Sequence, residues 1–175
     1  SAPDADAGGV EALALPGLQS AGPAQTPLAF GEERVNTYTV GNQLQPEVAA
    51  LSGGRYVVTW QSAGQDGSGD GIYAQLFEAN GRAVGPEWRV NASTSGEQEL
   101  PQVAGLSDGG FVIVWQDNNG LDGSSWSVQA QRYNAQGLAQ GGNVTVNTTT
   151  ASGQYHPSVA AYNGGYAVAW SADQG

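Results

Sequence analysis

The chain has 175 residues, no cysteine and no methionine, so disulfide frameworks and thiolate metal sites are excluded. Sixteen acidic residues stand against five arginines (Arg34, Arg55, Arg82, Arg89, Arg132) with no lysine, giving a formal charge of −11. That balance excludes nucleic acid and anionic membrane as partners and suits divalent cations. With 27 glycines and only 12% charged residues, the composition predicts a turn-rich all-β protein.

In chain order, residues 1–27 are rich in Ala, Pro and Gly. They read as a flexible leader or linker, and the absence of an initiating Met suggests leader removal or a fragment. Within them, Val10 to Leu15 can make one helical turn or a short strand. No apolar run is long enough for a membrane span. Residues 28–175 read as one repeat domain. Val35-Asn36 returns as Val90-Asn91 and Val146-Asn147, and Pro46-x-Val48-Ala49 as Pro101-x-Val103-Ala104 and Pro157-x-Val159-Ala160. Trp60, Trp115 and Trp170 share the spacing, as do glycine pairs at 53–54, 109–110 and 164–165. Landmarks that share one period of about 55 residues mark repeated supersecondary units.

Each unit has one texture. A short apolar run is followed by a glycine-pair turn. Next come "YVVTW", "FVIVW" or "YAVAW", β-branched and aromatic runs suited to strands buried on both faces. A polar loop leads to "IYAQLFEANG" or "VQAQRYNAQG", which alternate with the period of a strand, and the closing strand holds "EWRVN" or "NVTVN". Four strands per unit predict β-propeller-like blades of four antiparallel strands, with a β-sandwich or a solenoid as alternatives. The units fall at about 45–91, 100–147 and 156–175. The last is partial and a lone fourth strand precedes the first, so blades stay incomplete in one chain. Self-association through shared or neighbouring blades, into a ring or filament, is the expected partner mode. The recurring tryptophans are expected to pack between blades.

The pattern P-x-V-A-x-L-S-(D)-G-G-(F/Y)-V-V-x-W-Q, then G-x-D-G-S-G-x-G-I-Y-A-Q-x-F-x-x-x-G and a closing V-N, resembles the repeats of large bacterial secreted proteins, the RTX-like or haemolysin-type calcium-binding adhesins. The resemblance covers about residues 30–175. It implies an extracellular or cell-surface module for adhesion or assembly, associated with calcium and not an enzyme.

The loops carry the candidate sites. "QDGSGDG" offers Asp66 and Asp70, and "QDNNGLDG" offers Asp117, Asn118, Asn119 and Asp122, oxygen ligands on a sharply turning backbone that suit calcium. The two acids recur at similar places in both loops. The same residues also make ordinary turns by bonding their own backbone, so both readings stand. Trp126, beside Asp122 and Asn119, suggests a glycan site of the kind a lectin uses, an aromatic face flanked by polar groups. His156 has no second histidine or cysteine to share zinc and reads as a loop residue. No G-x-S-x-G elbow is present and no catalytic constellation is visible, although paired carboxylates brought together only in space would escape a linear reading. The expectation is therefore a non-enzymatic module, with lectin, structural subunit and fragment of a propeller enzyme as alternatives.

Overall fold

The computed structural model describes residues 9–12 and 32–173. Its strands are β1 (Glu11–Ala12), β2 (Glu33–Arg34), β3 (Gln43–Ala50), β4 (Tyr56–Ala63), β5 (Asp70–Phe77), β6 (Trp88–Arg89), β7 (Gln98–Gly105), β8 (Phe111–Asp117), β9 (Ser127–Tyr133), β10 (Val144–Thr145), β11 (Gln154–Tyr162) and β12 (Gly165–Ala172). A single 3-10 turn at Ser52–Gly54 joins β3 to β4, and there is no α-helix among the described residues. No described helix is long and apolar enough to cross a membrane.

Two sheets of four strands run in the orders β3-β4-β5-β6 and β7-β8-β9-β10, and two pairs, β1-β2 and β11-β12, flank them. Among the described residues every pairing is antiparallel, and no sheet closes on itself. These are the expected all-β, blade-like units, incomplete within one chain. The inner strands run longer than the apolar runs that announce them, and the outermost strands β6 and β10 pair over only two residues each. In the segment read as leader, Glu11–Ala12 pairs with Glu33–Arg34; most of that segment lies outside the described residues.

The pairs β1-β2 and β11-β12 are two different halves of a blade. Val10 gives its backbone N–H to Asn36 Oδ1 (2.7 Å), just as Ile72 gives to Asn91 and Val128 to Asn147 (2.8 Å each). By that equivalence β1 and β2 are a third and fourth strand. The pair β11-β12 is a first and second strand.

Blades stack through apolar seams. The largest joins Ala49, Val57, Ile72, Ala74, Leu76 and Val90 of one sheet to Phe111, Ile113, Trp115 and Tyr133 of the next. Trp60 instead packs with Val10 and Val35 of the N-terminal pair. Trp60 and Trp115 therefore lie between blades, as expected, at 0% and 1% exposure. Trp170 is 37% exposed, on a strand that has no third strand beside it among the described residues.

The innermost strands share one defect that shapes the site. A register shift interrupts β3 between Leu44 and Glu47, β7 between Glu99 and Gln102, and β11 between Tyr155 and Ser158. Pro46, Pro101 and Pro157 sit in these gaps. Proline has no N–H for the ladder, so a bulge is the local solution. The residue before each proline takes a left-handed backbone, Gln45 at φ 52°, Leu100 at φ 51° and His156 at φ 53°. Such φ values are uncommon for non-glycine residues, and here they recur at the same position three times.

Candidate functional site

Each unit is closed by the asparagine of its Val-Asn pair. Asn91, 2% exposed, accepts from Ile72 N–H, and its Nδ2 lies within hydrogen-bond reach of Ser93 O (2.8 Å), Gln98 Oε1 (2.8 Å) and Asp66 Oδ2 (3.1 Å). Asn147 does the same with Val128 N–H, Thr149 O (3.0 Å), Gln154 Oε1 (2.9 Å) and Asp122 Oδ2 (2.6 Å). Asp66 and Asp122 are therefore the equivalent acids of the two loops, each clasping its loop to the closing strand. Asp122 Oδ1 also takes the N–H and Oγ–H of Ser124, both at 2.8 Å. Burial raises its pKa, but these hydrogen bonds outweigh burial and hold the carboxyl below its ordinary value. Asp117 lies elsewhere, buried on β8, where Asn119 N–H (3.0 Å) and Trp115 Nε1–H (3.3 Å) reach it. Desolvation outweighs those bonds and raises its pKa. The apparent recurrence of two acids per loop thus resolves into one shared clasp, with Asp70 and Asp117 at unrelated places.

Asp70 belongs to a different grouping. At the junction between the two four-stranded sheets, Asp70 on β5 meets Glu97 and Glu99 at the start of β7, with one oxygen from each within 4.8 Å of the others. All three are half-buried. Glu97 Oε2 accepts Asp70 N–H (2.7 Å), and the backbone of Glu97 is held by Asn118, whose Oδ1 takes its N–H at 2.6 Å and whose N–H donates to its carbonyl at 3.0 Å. Gly69 leaves room for the Glu97 carboxylate, which a Cβ there would displace.

Two glutamines brace this junction. Gln61 Nε2–H donates to Asp70 Oδ2 (2.5 Å) and its Oε1 accepts Leu100 N–H (3.3 Å). Gln116 Nε2–H donates to Glu99 Oε2 (3.0 Å) while its Oε1 accepts His156 N–H (3.0 Å). Leu100 and His156 thus aim their N–H groups at the preceding blade. Desolvation first, then the neighbouring carboxylates, raise the pKa of Asp70 and of Glu99 against the opposing amide bonds. Three carboxylates so close can share protons or hold a cation. They supply three of the six to eight oxygens calcium takes, and of the four aspartates expected to bind metal Asp70 alone is among them.

At the next junction the repeat places different chemistry on the same scaffold. Asp70 is replaced by Trp126, Glu97 by Gly153 and Glu99 by Tyr155. The Trp126 and Tyr155 rings lie 6.0 Å apart at 46°, and Tyr155 and His156 lie 6.4 Å apart at 46°. Gly153 lets Tyr155 lie over the backbone, since a Cβ there would strike its hydroxyl. Trp126 and Tyr155 are half-exposed and His156 is exposed. Of the proposed glycan trio, Trp126 faces this row, Asp122 is engaged with Asn147 and Ser124, and Asn119 accepts Leu121 N–H at 3.1 Å while its Nδ2 has no hydrogen-bond partner.

A separate cleft between the outer strands is lined by Trp88, Gln131, Tyr133, Leu138 and Asn143. Its amides are already engaged, within one blade and, through Asn143, across to the next. Asn143 Oδ1 accepts Ala92 N–H (2.5 Å), and Asn143 Nδ2–H donates to Gln131 Oε1 (2.8 Å).

Glu97 and Glu99 were missed in the linear reading. The signal was present in the repeat. Asn42-Gln43-Leu44, Glu97-Gln98-Glu99 and Gly153-Gln154-Tyr155 keep the central glutamine and change both flanks.

No family model matches the chain, and no curated protein is detectably similar to it. Among solved structures, it is similar to the endo-arabinase from Bacteroides thetaiotaomicron VPI-5482, with 14% sequence identity and a TM-score of 0.51. The match covers 85% of this chain and 57% of that one, so the chain spans little more than half the length of that enzyme. At this identity the likeness concerns the fold. It nevertheless overturns the expectation that the chain is not an enzyme, because the solved structure that shares this fold is itself an enzyme.

Proposed function

We propose that this chain belongs to a glycan-hydrolysing β-propeller in which Asp70, Glu97 and Glu99 form the carboxylate centre. The observation that carries this reading is the convergence of three half-buried carboxylates from two blades at one end of an inner strand. Glycoside hydrolysis needs a carboxylic acid that keeps its proton and a carboxylate that does not. Glu99 suits the first role, since burial and its acidic neighbours raise its pKa. Glu97, fixed at its Oε2 by the Asp70 N–H, is positioned as the nucleophile. Oxygens within 4.8 Å fit the retaining geometry of about 5 Å better than the roughly 6.5–9.5 Å of inverting sites. In that course Glu99 protonates the departing glycosidic oxygen while Glu97 bonds to the anomeric carbon. Water, deprotonated by Glu99, then releases the sugar and restores both groups. Asp70, tied to Gln61, keeps the acid's pKa high. An extracellular location fits a polymeric substrate.

The test is release of reducing ends from arabinan and other neutral polysaccharides. Wild type should release them, and Glu99→Gln and Glu97→Gln should each lose at least about a hundredfold in rate. The rate should fall as pH rises through the raised pKa of Glu99. Failure of wild type to cleave any of these glycans overturns the reading. Saccharide binding without cleavage is the second reading, favoured by the partly exposed aromatic row at Trp126, Tyr155 and His156.

A further inference from the structure

The two blade junctions share one backbone plan but differ in every side chain that faces outward from it. The scaffold at both is a glutamine on the second strand, a left-handed residue on the next inner strand that donates to it, and an asparagine clasp. At the first junction the variable positions hold Asp70, Glu97 and Glu99; at the second they hold Trp126, Gly153 and Tyr155. Three changes at one set of positions convert an acidic cluster into an aromatic face. A buried seam would not need this. Trp60 and Trp115 already fill the seams and are enclosed, whereas Trp126 and Tyr155 stay half-exposed.

The two junctions are also mechanically joined. Gln116 holds the Glu99 carboxylate with its amide N–H and the His156 backbone with its carbonyl. The aromatic row therefore begins one side chain away from the carboxylates, at the same end of adjacent inner strands.

We propose that Trp126, Tyr155 and His156 form a stacking subsite that binds a neutral sugar ring of the same glycan chain next to the carboxylate centre. Aromatic faces pack against the apolar C–H face of a sugar and leave its hydroxyls to polar neighbours. A net charge of −11 and the adjacent carboxylates select against uronate-containing chains. Gly153 is part of the subsite, because the end of the Tyr155 ring occupies the space a Cβ there would take. His156 adds a third ring 6.4 Å from Tyr155, on a left-handed backbone that the Gln116 hydrogen bond anchors.

This rests on the glycan-acting reading, and the two can fail separately. The probes are neutral arabino-, xylo- and manno-oligosaccharides, with a galacturono-oligosaccharide as the acidic control. Binding is followed by calorimetry on the full-length Glu99→Gln chain, and hydrolysis on the Glu99 chain. Trp126→Ala and Tyr155→Ala should each weaken binding of the neutral oligosaccharide that binds best by about tenfold and raise KM with little change in kcat. Tyr155→Phe should keep most of the affinity, and melting curves should show all variants folded. Hydrolysis by wild type with KM untouched by Trp126→Ala and Tyr155→Ala overturns the subsite and leaves the carboxylate assignment standing. Trp126-dependent binding in a chain that never hydrolyses supports the subsite and removes the hydrolase. Tighter binding of the acidic control than of any neutral chain overturns the proposed ligand class.

Discussion

Asn91 shows how one side chain can fix a unit. Its carbonyl oxygen takes a backbone N–H of β5 that the short β6 leaves unpaired, and its amide reaches Gln98 of the next blade and Asp66 of the loop. Buried at 2% exposure, these groups have no water to turn to. Asn91→Ala should therefore cost about 2–4 kcal/mol, because it strands the Ile72 N–H together with the acceptors on Ser93, Gln98 and Asp66. Asn91→Asp keeps the acceptor for Ile72 N–H but sets a carboxylate against Asp66 Oδ2, so its deficit should be larger at neutral pH than near pH 4. Urea unfolding at the two pH values measures both. A loss below about 0.5 kcal/mol for the alanine variant would mean that the clasp is dispensable. The same logic explains the loop acids. Asp66 and Asp122 were visible in the sequence as candidate ligands, but their asparagine partners lie 25 residues away, and nothing local distinguishes a metal ligand from a clasp.

At the scale of elements, the fold was largely legible because its strands are short, apolar and repeated with the same turns. "YVVTW" and "FVIVW" announced β4 and β8, and the Val-Asn pairs marked where each unit ends. The bulges were not legible as such. The prolines at 46, 101 and 157 were noted as period markers, but the left-handed residue before each follows from the ladder having to resume beyond a missing N–H. The carboxylate cluster was hidden for a related reason: Asp70 and Glu99 come together only when one sheet stacks on the next, and no spacing within a strand encodes that. The tryptophans give this level its test. Trp60 and Trp170 occupy one position of the repeat, yet one is enclosed by β1, β2 and its own sheet while the other lies on the open half-blade. Trp60→Ala should cost about 3–5 kcal/mol, and Trp170→Ala about 1 kcal/mol. The comparison is internal and needs only two denaturation curves. Equal losses would mean that the outer face of β12 is covered in solution as fully as that of β4.

For the whole molecule, acidity acts through two routes with different signatures. The charge of −11 repels itself at neutral pH, and salt screens that repulsion. Burial acts locally. Asp70, Glu99 and Asp117 all have pKa values raised chiefly by desolvation. A raised carboxyl keeps its proton in the folded chain at pH values where the unfolded chain has lost it. Its contribution is therefore complete below the ordinary carboxylate pKa and is lost as pH climbs through the folded value. Asp122 runs the other way: its lowered pKa contributes stability above the ordinary value and loses it as pH falls through the folded one. Stability should therefore be greatest near the ordinary carboxylate pKa and fall as pH rises through the raised values of Asp70, Glu99 and Asp117. Added salt should lift the neutral end of the curve without levelling it. Asp117→Asn should reduce the slope in high salt, because it removes the most deeply buried of the three carboxyls while leaving an oxygen for Asn119 N–H. Denaturant midpoints measured from pH 4 to pH 8, with and without roughly 1 M salt, separate the routes. A midpoint that rises steadily to pH 8 in high salt would show these carboxylates stabilised as anions, and with that the protonated Glu99 on which the hydrolytic reading depends would be lost.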